Sequence, residues 1–523
     1  MGRATHTELR LPATDPFVKA GQPATLKFET AYNIPGAVQS TRDPALGGLP
    51  DEQTSYKYDR LGNLASIGTY LTDIDYSALA ERQTLTLGTG ATSVYIANTF
   101  EPGTSRLTNS YVQDEIHSYR PQDLTYTYDQ VGNVTQIRDA TTLGGTSSPD
   151  TQCFTYDAYQ RMTEAWTPAS QKCTDTRSAT ALSGPAPYWS SYTYNTASQR
   201  TTETQHTSTA TTKTTYCYTN KNQPHTLTGT TTGTDCTTPQ RTYTYDTTGN
   251  TTQRPGTALN TTQNLTWSEE GKLTRLTQDD QSTDYLYGPD GTLLIRTTEN
   301  GERVLYAGAT ELHLRADGTT WAQRFYAADG ISAAARSNET GTTKVTYLVS
   351  DHHGTSHLAI NRDSALTFTK RYTSPFGADR GKPQFGPWPD DKGFLGKTRD
   401  TTTGLTHIDA REYDPTIGQF ISVDPLLSLD QPNSLNGYNY ANNNPVTLSD
   451  PDGLRPVTLC ERGCQEDGVT YRDKLTHNGD GTFSYESETI TYLYDSENEL
   501  HSTVTRGTGH PRRARSSPSS TTT

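Results

Sequence analysis

Three charged side chains near the end of the chain have residue types suited to acid–base chemistry. Asp424 lies in Ser-Val-Asp-Pro, Asp450 lies in Asp-Pro-Asp-Gly-Leu, and Arg411 precedes both. Two carboxyl groups held close together do not both ionise easily, so one keeps its proton while the other can activate water. Peptide hydrolysis needs this division of roles, and a nearby guanidinium would orient the pair. These residues are therefore candidates for an aspartyl-type hydrolytic site.

The same aspartates also have a purely structural interpretation. Asp-Pro pairs commonly start turns, and residues 450–453 (Asp-Pro-Asp-Gly) fit a turn by themselves. Asp414 and Asp424 each precede a proline as well. Spacing alone therefore leaves a set of turns and a catalytic pair as alternatives.

A repeated strand–turn–strand unit fills most of the chain before these residues. Each copy is an alternating strand ending in Tyr-x-Tyr-Asp or a variant of it, then a turn such as Gly-Asn, then a second short strand. The Tyr-x-Tyr spacing places both rings on one face of a strand, and Gly-Asn tolerates positive φ. One hairpin alone is marginal, so we expect the copies to stack on a shared aromatic face. The copies start at Tyr56, Tyr126, Phe154, Tyr192, Tyr243, Leu265 and Tyr285.

The composition favours an all-β protein with thin cores. Only 31% of the residues are hydrophobic, yet there are 32 Tyr against 11 Phe and 5 Trp. Typical globular domains are about 45–50% apolar, whereas Tyr and Thr suit a half-buried pleated surface. We therefore predict extensive β-sheet in place of one thick hydrophobic centre. Thr-rich stretches such as residues 201–215 are expected to be exposed loops between hairpins.

Charge and hydropathy argue against two classes of partner. With 44 basic and 58 acidic residues the net charge is −14, which disfavours nucleic-acid binding by the sheet. No apolar run approaches the roughly 18 residues of a membrane span. The spacing of Asp351, His352, His353 and His357 could suit a metal, but His352 and His353 would point to opposite faces if they lie on a strand. We therefore assign no cofactor and no metal.

The pairing of the six cysteines would indicate whether the protein works in an oxidising or a reducing compartment. Pairing between near neighbours would close three loops and would suit an oxidising exterior, whereas unpaired thiols in a cytosolic protein are the alternative. We expect a secreted or cell-surface protein whose export route is not visible in this chain. The candidate pairs are Cys153 with Cys173, Cys217 with Cys236, and Cys460 with Cys464.

The repeats resemble the YD repeats of the Rhs family, which also occur in the C components of insecticidal toxin complexes and in teneurins. In that family the repeats imply a long β-sheet strip that spirals into a hollow shell. The segment from about residue 345 to Asp-Pro-Asp-Gly-Leu resembles the Rhs-associated core, which plugs one end of the shell. The resemblance thus implies an all-β fold of YD-repeat hairpins in a spiralling sheet, a shell or partial shell closed by this core.

This resemblance divides the chain into four parts. Residues 1–50 would be a strand-like segment that continues a longer shell, and residues 51–344 the YD-repeat shell. Residues 345–454 would be the Rhs-associated core, and residues 455–523 a variable tail with a disordered end. The tail carries no recognisable nuclease, deaminase or transferase motif, so a very small effector, a remnant and a truncated effector all remain open.

The resemblance also implies self-cleavage. In Rhs-type toxins the corresponding residues form an aspartyl autoprotease that cuts after the Leu of this motif. Carried over, Asp424 and Asp450 would be the dyad, Arg411 the supporting cation, and Leu454–Arg455 the scissile bond. The chain would then be a polymorphic-toxin shell fragment that encapsulates and releases its own C-terminal segment, with an immunity protein as a further partner.

A non-enzymatic cell-surface or carbohydrate-binding YD-repeat protein is the alternative. Exposed Tyr faces could stack on cell-surface glycans, although Tyr in this pattern is more often sheet core. Shells that do not cleave themselves share the architecture, so the fold alone does not decide between the two functions.

Overall fold

The computed structural model divides the chain into two compact units, Met1–Val457 and Thr458–Thr523. Side chains are described as far as residue 457. The backbone is described for residues 3–145, 149–258, 260–426, 435–458, 469–477, 483–494 and 500–508.

The first sheet is an antiparallel meander of 18 strands, in which each strand pairs with the one before it in the sequence. A short helix, α1 (Pro16–Lys19), lies between the first two strands. The strands are β1 (His6–Arg10), β2 (Thr25–Tyr32), β3 (Val38–Asp43), β4 (Glu52–Tyr58), β5 (Leu64–Ile67), β6 (Leu71–Tyr76), β7 (Arg82–Leu87), β8 (Val94–Phe100), β9 (Leu107–Asp114), β10 (Gln122–Tyr128), β11 (Val134–Asp139), β12 (Asp150–Tyr156), β13 (Met162–Trp166), β14 (Trp189–Tyr194), β15 (Arg200–His206), β16 (Thr211–Cys217), β17 (Gly229–Thr231) and β18 (Arg241–Thr242).

The second sheet is a 13-stranded meander of the same kind. It continues without a break past residue 345. Its strands are β19 (Thr244–Tyr245), β20 (Thr251–Pro255), β21 (Thr262–Trp267), β22 (Leu273–Gln278), β23 (Gln281–Tyr287), β24 (Leu293–Thr298), β25 (Arg303–Ala307), β26 (Thr310–Leu314), β27 (Thr320–Ala328), β28 (Ile331–Ser337), β29 (Lys344–Ser350), β30 (Ser356–Asn361) and β31 (Phe368–Lys370).

The segment after β31 is built from short strands and tight turns. Four strands form a small antiparallel sheet, and single-turn 3-10 helices lie at Phe394–Gly396 and Ala441–Asn443. In the second unit three longer strands pair in sequence order. The remaining strands are β32 (Arg399–Asp400), β33 (Leu405–Ile408), β34 (Arg411–Asp414), β35 (Gln419–Phe420), β36 (Leu448–Ser449), β37 (Val457–Thr458), β38 (Val469–His477), β39 (Phe483–Tyr494) and β40 (Leu500–Thr508).

In the repeats that carry an aspartate after the second aromatic residue, this aspartate closes the turn. Asp59 Oδ1 accepts the backbone N–H of Asn63 at 2.9 Å, and the Asn63 side-chain amide donates to Asp59 Oδ2 at 2.8 Å. Asp129 and Asp246 bond their own turns in the same way. Gly62 lies between Asp59 and Asn63 with φ +94°, a left-handed conformation that favours glycine. The Asp and Gly-Asn chemistry predicted from the sequence is therefore confirmed in these turns.

In five repeats the hydroxyl of the second tyrosine joins its hairpin to the preceding one by donating to a backbone carbonyl. The Tyr156 hydroxyl donates to the Val134 carbonyl at 2.6 Å, and the Tyr194 hydroxyl donates to the Met162 carbonyl at 2.7 Å. Trp267 uses its indole N–H for the same kind of bond. Both rings of a repeat pack into the same core cluster, as the period of two predicts. Phe has no donor for this bond, so it could not replace these second tyrosines without losing the bond.

The Thr-rich residues 201–215 form strands, so the prediction of exposed loops there is wrong. They make up most of β15 and β16, which pair in register from Thr202 with Thr215 to His206 with Thr211. Thr is β-branched and suits a pleated strand even where one face is wet. The polar composition therefore predicted correctly that many of these residues are exposed. It did not mean that they lack regular secondary structure.

Two of the core clusters show how the parts of the first unit pack together. One joins the two large sheets, with Leu71 and Leu87 from the first and Tyr347 and Ile360 from the second. The other joins the aromatic face of the first sheet to the segment after β31. Its members from the sheet include Phe154, Met162 and Tyr192, and those from the later segment include Phe376, Tyr413, Phe420 and Tyr440.

Two disulfides tie loops to the first sheet. Cys153 of β12 is bonded to Cys173, and Cys217 of β16 is bonded to Cys236. The third candidate pair, Cys460 with Cys464, lies outside the described residues.

Candidate active site

Arg411, Asp424 and Asp450 meet at one point in the segment after β31. Arg411 begins β34, Asp424 follows β35, and Asp450 follows β36. One guanidinium nitrogen, Arg411 Nη2, lies 2.9 Å from Asp424 Oδ2 and 3.0 Å from Asp450 Oδ2. Because both oxygens contact the same nitrogen, the two carboxyl groups lie within two hydrogen-bond lengths of each other.

The guanidinium of Arg411 is held in a single orientation. Its Nε donates to the carbonyl of Gly453, and its Nη1 donates to the carbonyl of Gly437 at 2.8 Å. Its plane lies over the Phe420 ring, with Cζ 3.6 Å from the ring centroid. The rigid fork of an arginine can satisfy all of these partners at once, which a lysine ammonium cannot.

The predicted scissile bond lies against Asp450. The backbone N–H of Arg455 donates to Asp450 Oδ1 at 3.0 Å, and the N–H of Leu454 donates to Asp452 Oδ1 at 3.0 Å. A carboxyl group therefore contacts the nitrogen that would leave if the peptide bond between Leu454 and Arg455 were hydrolysed.

Two glycines allow the backbone to approach this closely. Gly453 has φ +72°, and a Cβ there would lie 2.5 Å from the Ile408 carbonyl oxygen. A Cβ on Gly437 would lie 2.8 Å from a methyl of Val423 and 3.0 Å from the Asp424 nitrogen. Backbone atoms cannot yield as a flexible side chain can, so larger residues at either position would displace the carbonyls that hold the guanidinium.

Burial distinguishes the two carboxyl groups. The side chain of Asp450 is 1% exposed and that of Asp424 is 14% exposed. Burial raises the pKa of both carboxyls, and the positive charge of Arg411 opposes the rise in each. Burial also lowers the pKa of Arg411 from its ordinary value, but a guanidinium stays charged at neutral pH. One carboxyl is thus enclosed and the other is partly open to solvent.

This arrangement can divide the work of peptide hydrolysis. An enclosed carboxyl with a raised pKa keeps a proton near neutral pH, and Asp450 is within general-acid distance of the Arg455 nitrogen. The more open Asp424 is the carboxyl that water can reach. The same guanidinium contacts both, so it can stabilise whichever of them carries the negative charge.

Several contributors to the site were missed by the sequence interpretation. The Gly437 carbonyl has no signal in the sequence, because every residue has a carbonyl. Tyr440 has its hydroxyl 3.4 Å from the Asp450 nitrogen, which donates to it. Asp452 was interpreted only as part of a turn, although its place between Asp450 and Leu454 could have indicated a role.

The histidines after β29 have a structural role. His352 and His353 lie in a turn and not on a strand, so the argument that they would point to opposite faces does not apply. Both Nε2 atoms lie 2.8 Å from the Val446 carbonyl, and each N–H donates to it. Burial lowers the pKa of His353 to about 3, which keeps the ring neutral.

Among the described residues there is neither a candidate metal site nor a helix that could span a membrane. They contain no group of three or more His, Cys, Asp and Glu side chains placed to hold a metal ion. Within that same part of the chain, no helix has both the length and the apolar character needed to cross a membrane.

Sequence comparisons connect the chain to toxin proteins. Residues 192–446 match the family model described as Teneurin YD-shell. The toxin subunit YenC1 of Yersinia entomophaga is 27% identical over 221 residues, which is 37% of this chain and 22% of that protein. The tRNA nuclease WapA of Bacillus subtilis is 27% identical over 215 residues, 36% of this chain and 8% of that protein.

Solved structures show the same fold. The complex of TcdB2 and TccC3 without the hypervariable C-terminal region gives a TM-score of 0.66 at 21% identity, over 86% of this chain and 23% of that chain. The Tc holotoxin pore of Photorhabdus luminescens gives a TM-score of 0.64 at 22% identity, over 83% of this chain and 21% of that chain. The chain spans less than a quarter of the length of these relatives. The chain thus contains a segment, residues 192–446, that matches the Teneurin YD-shell, and its fold is the one found in these Tc toxin structures.

Proposed function

We propose that this chain is the shell part of a Rhs-type polymorphic toxin, which encapsulates its C-terminal segment and frees it by aspartyl self-cleavage after Leu454. One observation carries the proposal: Asp450 Oδ1 lies 3.0 Å from the nitrogen of Arg455, while its other carboxyl oxygen shares Arg411 with Asp424. A dyad and the bond it would cut thus lie together.

The chemistry follows from the two environments. Asp424 takes a proton from a water molecule, whose oxygen adds to the carbonyl carbon of Leu454. As that carbon becomes tetrahedral, the nitrogen of Arg455 regains a lone pair and takes the proton held by Asp450. The carbon–nitrogen bond then breaks, which leaves a carboxylic acid on Leu454 and an amine on Arg455, and the new acid loses its proton to solvent. Arg411 balances the charge as the proton passes from one carboxyl to the other.

The backbone hydrogen bonds favour an ordered cleavage segment. The carbonyl of Gly453 is held by Arg411, and the N–H groups of Leu454 and Arg455 are held by Asp452 and Asp450. Each residue from Gly453 to Arg455 is therefore anchored. Fixing reactive groups in this way before the reaction lowers the entropic cost of reaching the transition state.

The partners and location in this proposal follow from the family. The cargo is the chain's own segment after Leu454, and an immunity protein would protect the producing cell. Two disulfides support a secreted or cell-surface location, because such bonds persist in oxidising compartments. The alternative of glycan binding by repeat tyrosines is less supported, because rings such as those of Tyr126 and Tyr192 are buried in the core.

Intact mass of the purified chain tests the proposal. The expected products are a fragment ending at Leu454 and a fragment beginning at Arg455, which stay together in size-exclusion chromatography and separate in denaturant. Asp424→Asn and Asp450→Asn should each give only the full-length chain. Asp235→Asn is the matched control, because Asp235 is an exposed turn aspartate away from the site, and it should cleave normally. A well-folded wild-type chain that stays whole would refute self-cleavage.

A further inference from the structure

Asp452 lies between the proposed acid and the bond it would cut. Its carboxylate oxygen Oδ1 accepts the N–H of Leu454 at 3.0 Å, and its own carbonyl accepts the N–H of Ala410 at 3.1 Å. Ala410 directly precedes Arg411, so the turn that carries the scissile bond is attached to the strand that carries the guanidinium. Asp452 is thus held from its backbone while its side chain holds the cleavage segment.

We propose that Asp452 is a positioning residue, which holds the peptide plane before Leu454 and so helps to orient the Leu454–Arg455 peptide against Asp450. This inference rests on the proposed self-cleavage. Asp452 and Asp450 bond successive amides, Leu454 and Arg455, from the two ends of one short turn. The N–H of Leu454 belongs to the Gly453–Leu454 peptide plane, and the N–H of Arg455 belongs to the Leu454–Arg455 plane. Asp452 therefore holds the plane before Leu454 and Asp450 holds the plane after it, which restricts the backbone rotations at Leu454 and keeps the Arg455 nitrogen against Asp450.

An ordinary turn aspartate provides the comparison. Asp235 also accepts the N–H two residues later, from Thr237, at 2.8 Å. That turn is exposed and has no second carboxylate on the next amide among the described contacts. The hydrogen bond of Asp452 is therefore a common turn feature by itself. Its position beside Asp450 is what gives it a further consequence for cleavage.

The charge of Asp452 has a second effect. The titratable and charged groups around Asp450 are Arg411, Asp424, Asp452 and Tyr440. Burial is the main cause that raises the pKa of Asp450, Arg411 opposes it, and the negative charge of Asp452 adds to the rise. Asp452 therefore helps Asp450 to keep its proton as pH rises.

Two substitutions separate these effects. Asp452→Asn keeps an oxygen that can accept from Leu454 but removes the charge, whereas Asp452→Ala removes both. Uncleaved precursor would be refolded from denaturant into buffers between about pH 5 and pH 9, around the range expected for the acid. Cleavage would be counted by intact mass, and folding would be followed by fluorescence in the same samples.

We expect Asp452→Ala to slow cleavage of the folded chain about 10- to 100-fold at every pH, because the peptide plane before the scissile bond is no longer held. Asp452→Asn should retain most of the rate in acid but lose activity at a lower pH than the wild type. Asp235→Ala is the control and should change neither rate nor profile.

The outcomes distinguish this inference from the proposed function. If Asp450→Asn abolishes cleavage while Asp452→Ala keeps the wild-type rate and pH profile, the role of Asp452 is wrong and the dyad stands. If both variants of Asp452 lose rate equally with no shift in profile, the charge effect is wrong. If the folded wild-type chain never cleaves, the proposed function and this inference both fail.

Discussion

Asp450 accepts a hydrogen bond from the backbone nitrogen of Arg455, five residues along the chain, at 3.0 Å. Aspartates that only close turns bond nearer neighbours, as Asp59 does with the amides two and four residues later. Asp424 has one such turn contact, with the amide of Leu426. Asp450 instead reaches past its own turn to the bond predicted to break, which is why a purely structural role explains it less well.

The pH dependence of cleavage follows from the two carboxyls. Burial raises the pKa of Asp450 to about 7. The acid must be protonated, so the rate should fall as pH rises through this value, by about tenfold per pH unit above it. The pKa of Asp424 is also raised from 3.8 by burial, and this group must be ionised, so the rate should fall again in acid. A rate that keeps rising in alkali would contradict these roles.

Removing the guanidinium should harm both cleavage and stability. Arg411→Ala leaves two partly or fully buried carboxyls without their cation, a change that typically costs about 3–5 kcal/mol. Arg411→Lys keeps the charge but cannot bond Gly437, Gly453 and both carboxyls together, so we expect it to fold better than the alanine variant and still cleave poorly. Urea unfolding and intact mass would measure the two effects.

The matched control for Arg411 is Arg275→Ala. Arg275 makes a solvent-exposed ion pair with Asp284 in the second sheet. Exposed pairs contribute about 0–1 kcal/mol, so this variant should unfold near the wild-type midpoint. Equal losses in the two alanine variants would show that the buried guanidinium has no special role.

The bonds between hairpins predict a selective effect of tyrosine hydroxyls. Tyr156→Phe removes the donor to the Val134 carbonyl and should lower the free energy of unfolding by about 0.5–1.5 kcal/mol. Tyr159→Phe, three residues later, changes a ring that is 67% exposed and should have little effect. Urea denaturation of the three proteins measures the difference. Indistinguishable midpoints would mean that these bonds do not stabilise the sheet.

The disulfides should stabilise the chain through loop closure. The bonded cysteines Cys153 and Cys173 are 20 residues apart, so their joint replacement by Ser should cost about 3 kcal/mol. In protein denatured without reductant, alkylation should leave Cys153, Cys173, Cys217 and Cys236 unmodified. Alkylation of all four would show that the thiols are free and would weaken the case for an oxidising location.

The hairpins could be predicted from the sequence because their causes are local. The period of two in Tyr-x-Tyr and the turn chemistry of Asp and Gly-Asn act within about ten residues. The partner of each second tyrosine could not be predicted, because Val134 offers Tyr156 a backbone carbonyl from another hairpin. Thr-rich β15 and β16 were mistaken for loops because polarity was taken to exclude strands.

In the candidate site, too, the residue types could be predicted from the sequence but the contacts formed on folding could not. The residue types of Arg411, Asp424 and Asp450 by themselves suggest acid–base chemistry. The carbonyls of Gly437 and Gly453, which orient the guanidinium, carry no signature of their own. Their glycines are required by close backbone approaches that only the folded chain reveals.

Cleavage in water enriched with heavy oxygen tests the dyad most directly. The account predicts that refolded precursor yields a fragment whose C-terminal Leu454 carboxylate carries one heavy oxygen, and a partner fragment that begins with Arg455. Asp450→Asn and Asp424→Asn, folded to the same extent by fluorescence, should yield neither fragment. Full-length wild-type chain in a folded sample, cleavage at another bond, or normal cleavage in either variant would contradict it.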